Sequence, residues 1–95
     1  MSKFVKIKTE NAKTIMRNIG PHAYAIYSYL LMNRNSKTNS TENVNLNKII
    51  DDTGIGHTSI SKYLSILEQE GFLTIIRTVD DNHQHGVNKY LFPKE

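Results

Sequence analysis

The chain contains no cysteine. That absence excludes a disulfide framework, a thiolate zinc site and a cysteine nucleophile. No apolar run approaches the roughly 18 residues that a bilayer-spanning helix needs. The opening residues, Met1-Ser2-Lys3-Phe4-Val5-Lys6, hold no apolar stretch of the kind a secretory signal carries. A cytoplasmic protein without a membrane partner is the expectation. Neither sign of charge dominates, since 12 Lys and Arg stand against 9 Asp and Glu, a formal +3 at pH 7. That balance, with a pI near 9.2, permits nucleic acid or an anionic surface as partner without demanding either. The basic residues are scattered from Lys3 to Lys94, so folding must assemble any binding face. Internal repeats and low-complexity tracts are also missing. What is present is 95 residues, 38% hydrophobic and 22% charged, the composition of one folded domain over residues 1–95 with little core to spare.

Hydropathy patterning divides the chain into short elements. Phe4-Val5-Lys6-Ile7 alternates weakly, as a short strand or an extended arm would. Ala12, Ile15, Met16 and Ile19 fall at i, i+3, i+4 and i+7, one face of an amphipathic helix that Gly20 ends. Pro21 suits the first turn of a second helix running to Met32. Its Ala23, Tyr24, Ile26, Tyr27, Tyr29, Leu30, Leu31 and Met32, advanced by about 100° per residue, cover nearly the whole circumference. Such a helix is expected to be buried on most sides or shared with a second subunit. Asn33 to Asn43 contains no apolar residue and predicts an exposed loop. Val44 and Leu46 alternate as a very short strand would, and Asn45 is placed to cap a helix carrying Leu46, Ile49 and Ile50 up to Gly54. A further helix spans His57 to Glu70 and closes at Gly71. Phe72 to Val79 reads as a strand, Asp80 to Gly86 as a turn-rich loop, and Val87 to Phe92 as the returning strand of a C-terminal hairpin. The predicted class is α+β and mainly helical, with three to four helices and a β-hairpin.

The helix at 57–70 carries the chemistry. With His57 set at 0° and about 100° per residue, Ile60, Tyr63, Leu64, Ile66 and Leu67 occupy an arc from about 180° to 340°. His57, Thr58, Ser61, Lys62, Ser65, Glu68 and Gln69 occupy about 0° to 140°. One face is built to pack; the other carries short hydrogen-bonding side chains, a lysine and a histidine. Ser and Thr contact base edges or phosphates, His donates to guanine, and Lys neutralises phosphate or reaches guanine O6 and N7. Thr58, Ser59, Ser61 and Ser65 are mediocre helix formers, and an ordinary solvated face would hold more Glu, Lys and Arg. The composition therefore favours contact with DNA.

Upstream, Gly54 lies between two short helices, with Ile55 directly after it and Ile60 further on. A glycine there permits the positive-φ turn that crosses the helices steeply, and the two isoleucines fill the wedge. On these residues the chain resembles winged helix-turn-helix proteins, in particular small bacterial, phage and plasmid replication or transcription regulators. Ser59-Ile60-Ser61-Lys62-Tyr63-Leu64-Ser65-Ile66 and then Leu67-Glu68-Gln69-Glu70-Gly71-Phe72-Leu73 are similar to that family's recognition helix and entry to the wing; Asn88-Lys89-Tyr90 resembles the returning strand. The resemblance implies a helix-turn-helix over 46–71 and a wing over 72–92. It implies a DNA interface in which His57, Thr58, Ser59, Ser61 and Lys62 meet the major groove. Ser65, Arg77 and Lys89 would meet phosphates, with His83 and His85 as further wing candidates. It also implies a homodimer on two-fold sites, for which Tyr24, Tyr27 and Leu31 are the interface candidates, and transcriptional repression or plasmid or phage replication or partition control. The chain departs from the pattern at Ile50, where a small residue is usual, at Gly56, where a capping Ser or Thr is common, and at Asp80-Asp81, which is unfavourable beside phosphate.

Competing readings are weaker. His83 and His85 could face one side of a strand toward a metal, but no third ligand accompanies them, so neither metal nor cofactor is expected. His22 reads as a capping or surface residue. The tyrosines could be a base-stacking platform, but an apolar helix is more often core or interface. Asp51 and Asp52 point about 100° apart on a helix with nothing nucleophilic beside them, and read as solvated. Lys62 and the serines lack a base and an oxyanion element, so an enzyme is not expected. The remaining contest is with a winged-helix module that binds only protein, whose exposed helix face would be apolar.

Overall fold

The structure is a computed structural model and describes residues 9–35, 37–42, 44–76 and 88–93. It is α+β and mainly helical, with one four-stranded antiparallel sheet. The expected strand at 4–7 lies outside the described residues.

Helix α1 (Thr9–Thr14) runs into a π-helical turn at Ile15–Ile19. The turn closes when the Gly20 N–H donates to the Ile15 carbonyl at 2.8 Å. This wider turn breaks the phase of the expected helix face: Ile15 is fully buried, whereas Met16 is 43% exposed. Gly20 has φ 137°, a backbone conformation open to glycine alone, and there the chain reverses into α2. Helix α2 (Pro21–Met32) begins with the proline at its first turn, as expected. Its buried stripe is Ala23, Ile26, Tyr27 and Leu30, at i, i+3, i+4 and i+7. Tyr24, Tyr29 and Leu31 are half-buried and Met32 is 47% exposed, so the helix is not enclosed on most sides.

The segment expected to be an exposed loop is a hairpin. Strands β1 (Arg34–Asn35) and β2 (Ser40–Thr41) pair antiparallel, and Asn39 takes the left-handed conformation at φ 54°. Ser40 and Thr41 are fully buried. Burial is possible because their polar atoms are satisfied: the Thr41 hydroxyl donates to the Leu30 carbonyl at 2.6 Å, and Ser40 Oγ shares a hydrogen bond with Thr38 Oγ1 at 2.7 Å. Asn39 Nδ2 donates to the Phe92 carbonyl at 2.7 Å, and the Phe92 N–H returns a bond to the Asn39 carbonyl at 3.1 Å. Val44 and Leu46 do not form a strand. Val44 is a core residue and Leu46 opens α3 (Leu46–Thr53).

Asn45 caps α3 as expected, its side chain accepting the Lys48 N–H at 2.8 Å. Gly54 ends the helix in the left-handed conformation at φ 73°. The three residues Gly54, Ile55 and Gly56 then turn the chain into α4 (His57–Gln69). Ile55 is 7% exposed and Ile60 fully buried, so both fill the wedge between α3 and α4. Helix α4 closes on a Schellman motif, with the Phe72 N–H on the Leu67 carbonyl at 3.0 Å and the Gly71 N–H on Glu68 at 3.1 Å.

The C-terminal pair is β3 (Thr74–Ile76) and β4 (Lys89–Leu91), antiparallel with Ile75 opposite Tyr90. Because β2 pairs with the other edge of β4, the sheet has four strands in the order β1-β2-β4-β3, two of them beyond the expected C-terminal hairpin. Tyr27 enters the core edge-on to Phe72 and Phe92, with ring centroids 6.0 and 5.9 Å away, and thereby ties α2 to both ends of the hairpin.

Candidate nucleic-acid interface

Helix α4 is held by its apolar side. Ile60, Leu64 and Leu67 are buried, and Tyr63 and Ile66 are half-buried. The opposite side leaves His57, Thr58, Ser61, Lys62, Ser65 and Gln69 exposed. Glu68, the one carboxylate of the helix, is half-buried and turned toward the sheet, where its Oε2 accepts the Ile75 N–H at 2.9 Å. The exposed stripe is therefore hydroxyl, imidazole, amide and ammonium along the length of α4. Hydroxyls both donate and accept, which suits base edges and phosphate oxygens alike. Ser59 does not join this stripe. It sits at about 200° on the same wheel, half-buried on the flank of the stripe.

On that flank, Lys62 places its Nζ 5.4 Å from the centroid of the Tyr63 ring, a cation–π contact. The His22 ring, from the start of α2, lies nearly parallel to Tyr63, 6.1 Å away at 13°. Neither residue stood out in the sequence as part of this surface. A lone histidine and a tyrosine on the boundary of an amphipathic helix carry no signal until folding brings them together.

The other expected site residues are dispersed. Lys89, on β4, pairs at 3.0 Å with Glu42, which directly follows the neighbouring strand β2, and this partly neutralises it as a phosphate contact. Arg77, His83 and His85 lie outside the described residues, as do Asp80 and Asp81. Of the three interface candidates, Tyr27 is 6% exposed inside the core. Leu31 is half-buried. Tyr24 lines a cleft of about 430 Å³ between α1 and α2, together with Met16, Met32 and Ser28.

Asp51 is exposed as expected, whereas Asp52 is bonded. The Tyr29 hydroxyl donates to Asp52 Oδ2 at 2.5 Å, and Lys48 Nζ lies 3.5 Å from the same oxygen. The hydrogen bond from Tyr29 and the Lys48 charge hold the Asp52 carboxyl below its ordinary value, against the opposing effect of desolvation. Desolvation, with the Asp52 bond and charge behind it, pushes the Tyr29 phenol up to about 12. This pair joins α2 to α3 and is structural. Among the described residues no group of three or more His, Cys, Asp or Glu is placed to hold a metal ion, and no helix is long and apolar enough to cross a membrane. No protein-family model matches the chain, and no curated protein and no solved structure matches it either.

Proposed function

We propose that the chain is a winged helix-turn-helix protein that binds double-stranded DNA in a sequence-specific manner, with α4 in the major groove and β3–β4 as the wing. The observation that carries the proposal is the exposed stripe of α4. It is free of carboxylates because Glu68 is turned to the sheet, and it is presented by a helix whose angle to α3 is set by a three-residue glycine turn. At 13 residues α4 is roughly 20 Å long and narrow enough for a groove about 12 Å wide. Thr58, Ser61 and Lys62, with His57, would face the major groove, and Ser65 would meet phosphate. The job that fits is that of a repressor, or of a regulator of plasmid or phage replication or partition, in the cytoplasm and associated with nucleoid or plasmid.

The protein would act as a homodimer on two-fold sites. The exposed Met16 and Met32 beside Tyr24 support an apolar contact between copies on the α1–α2 side. The same feature also favours the second reading, a winged-helix module that binds another protein and no DNA. Equilibrium binding to duplexes over a range of salt separates the two. Lys62→Ala should weaken binding to every sequence about tenfold and lower the salt slope by about 0.9, and Ser61→Ala should mainly reduce discrimination between sequences. A wild-type protein whose weak duplex binding is the same for all sequences and unaffected by either substitution supports the protein-binding reading instead.

A further inference from the structure

Glu68 falls at about 20° on the α4 wheel, between His57 and Ser61, within an arc whose other members are all exposed. Glu68 alone among them is half-buried, because its Oε2 accepts the Ile75 N–H at 2.9 Å. Strand β3 lies at the edge of the sheet, paired with β4, and an edge strand leaves alternate N–H groups without a ladder partner. For Ile75 a side chain of the helix stands where a neighbouring strand would. Resting on the reading of α4 as the groove helix, we infer that Glu68 is a positioning residue. Its bond to Ile75 fixes the end of α4 against the wing strand and so sets how the exposed stripe enters the groove.

The bond spans the reversal between helix and wing. Between its two ends the chain passes through the Schellman closure and through Gly71, at φ 83°. Leu67 anchors the helix side in the core, and Leu73 and Ile75 anchor the strand side. Apolar burial is non-directional, so these anchors hold the two elements together without fixing the angle between them. A carboxylate accepting a backbone N–H is directional and charge-assisted, and supplies that restraint. Reading bases requires side chains to reach particular base edges, whereas phosphate contacts carry no sequence information. Loss of the restraint is therefore felt in discrimination between sequences.

Three variants test this by separating the bond from the charge. Glu68→Gln keeps an acceptor and removes the charge, Glu68→Asp keeps the charge on a side chain too short to reach Ile75, and Glu68→Ala removes both. Amide hydrogen exchange reads the bond itself. The Ile75 N–H should exchange at the wild-type rate in Glu68→Gln and about tenfold faster in Glu68→Asp and Glu68→Ala. Equilibrium binding reads the consequence, as the ratio of affinities for a duplex selected from a random pool and a scrambled duplex of the same composition. That ratio should hold in Glu68→Gln and fall about tenfold in Glu68→Asp and Glu68→Ala. Binding is measured well below the melt of each variant, with helicity checked by circular dichroism, so that lost orientation is told apart from lost fold. Unchanged Ile75 exchange in Glu68→Ala overturns the bond, and an unchanged ratio overturns the positioning role while the reading of α4 stands. A ratio that falls in Glu68→Gln and holds in Glu68→Asp follows the charge and overturns it as well. A wild type that does not discriminate between the duplexes overturns the reading of α4 itself, whatever the exchange rates show.

Discussion

Thr41 is a polar side chain with no exposed surface, and the core tolerates it because its hydroxyl bonds the Leu30 carbonyl at 2.6 Å. Thr41→Val keeps the shape and deletes the donor, so urea denaturation should register a loss of about 1 kcal/mol. Tyr29 and Asp52 make a residue-scale prediction in pH. The Tyr29 phenol is raised from 10.0 to about 12, so the folded chain holds a proton that the unfolded chain releases first. Its stabilising contribution is complete below pH 10 and is lost as pH climbs toward 12. Asp52 is depressed, so its contribution is complete above the ordinary carboxylate range and is lost as acid protonates it. The gap in stability between the wild type and Tyr29→Phe should therefore be flat through neutral pH and narrow at both extremes. A gap that widens above pH 10 contradicts the assignment. At this scale the sequence was legible for the α4 stripe and for the Asn45 cap, both of which depend on neighbours a few residues away. It was not legible for Ser40, Thr41, His22 or Tyr29, whose partners are supplied by other elements.

Among the elements, α2, α3 and α4 were read with nearly correct limits because caps and glycines mark their ends. Gly54 is the sharpest of these marks. At φ 73° with open space where a Cβ would stand, the cost of a side chain there is conformational and not steric. Gly54→Ala should destabilise the fold by about 1 kcal/mol in a chemical melt, and Gly54→Asn by less, since asparagine enters the left-handed region more readily. Equal losses would mean that contact, and not backbone conformation, decides the position. Two elements escaped the sequence for a common physical reason. The hairpin β1–β2 has only two residues in each strand and no apolar alternation, and it is held by Asn39 and by pairing with β4, a long-range contact that no local window contains. The π-helical turn at Ile15–Ile19 likewise has no local signature, and it rotates Met16 out of the face that spacing had assigned to it.

For the whole molecule, a net charge of +3 is too small to hold DNA by electrostatics alone at physiological salt. The exposed stripe of α4 adds one lysine and short polar groups, which on the proposed reading would give specificity more readily than affinity. Two copies would present two such stripes, so a contact between copies through Met16, Met32 and Tyr24 would matter more to binding than the buried Tyr27. Sedimentation equilibrium should give twice the chain mass at micromolar concentration, and Met16→Lys with Met32→Lys should return it to the monomer without loss of helicity. Selection from a random duplex pool by the purified chain at moderate salt tests the proposed sequence-specific binding to DNA. The expected result is an enriched sequence, with half-sites about 10 base pairs apart, that is lost in Ser61→Ala and Lys62→Ala together. A pool that emerges without sequence preference contradicts it.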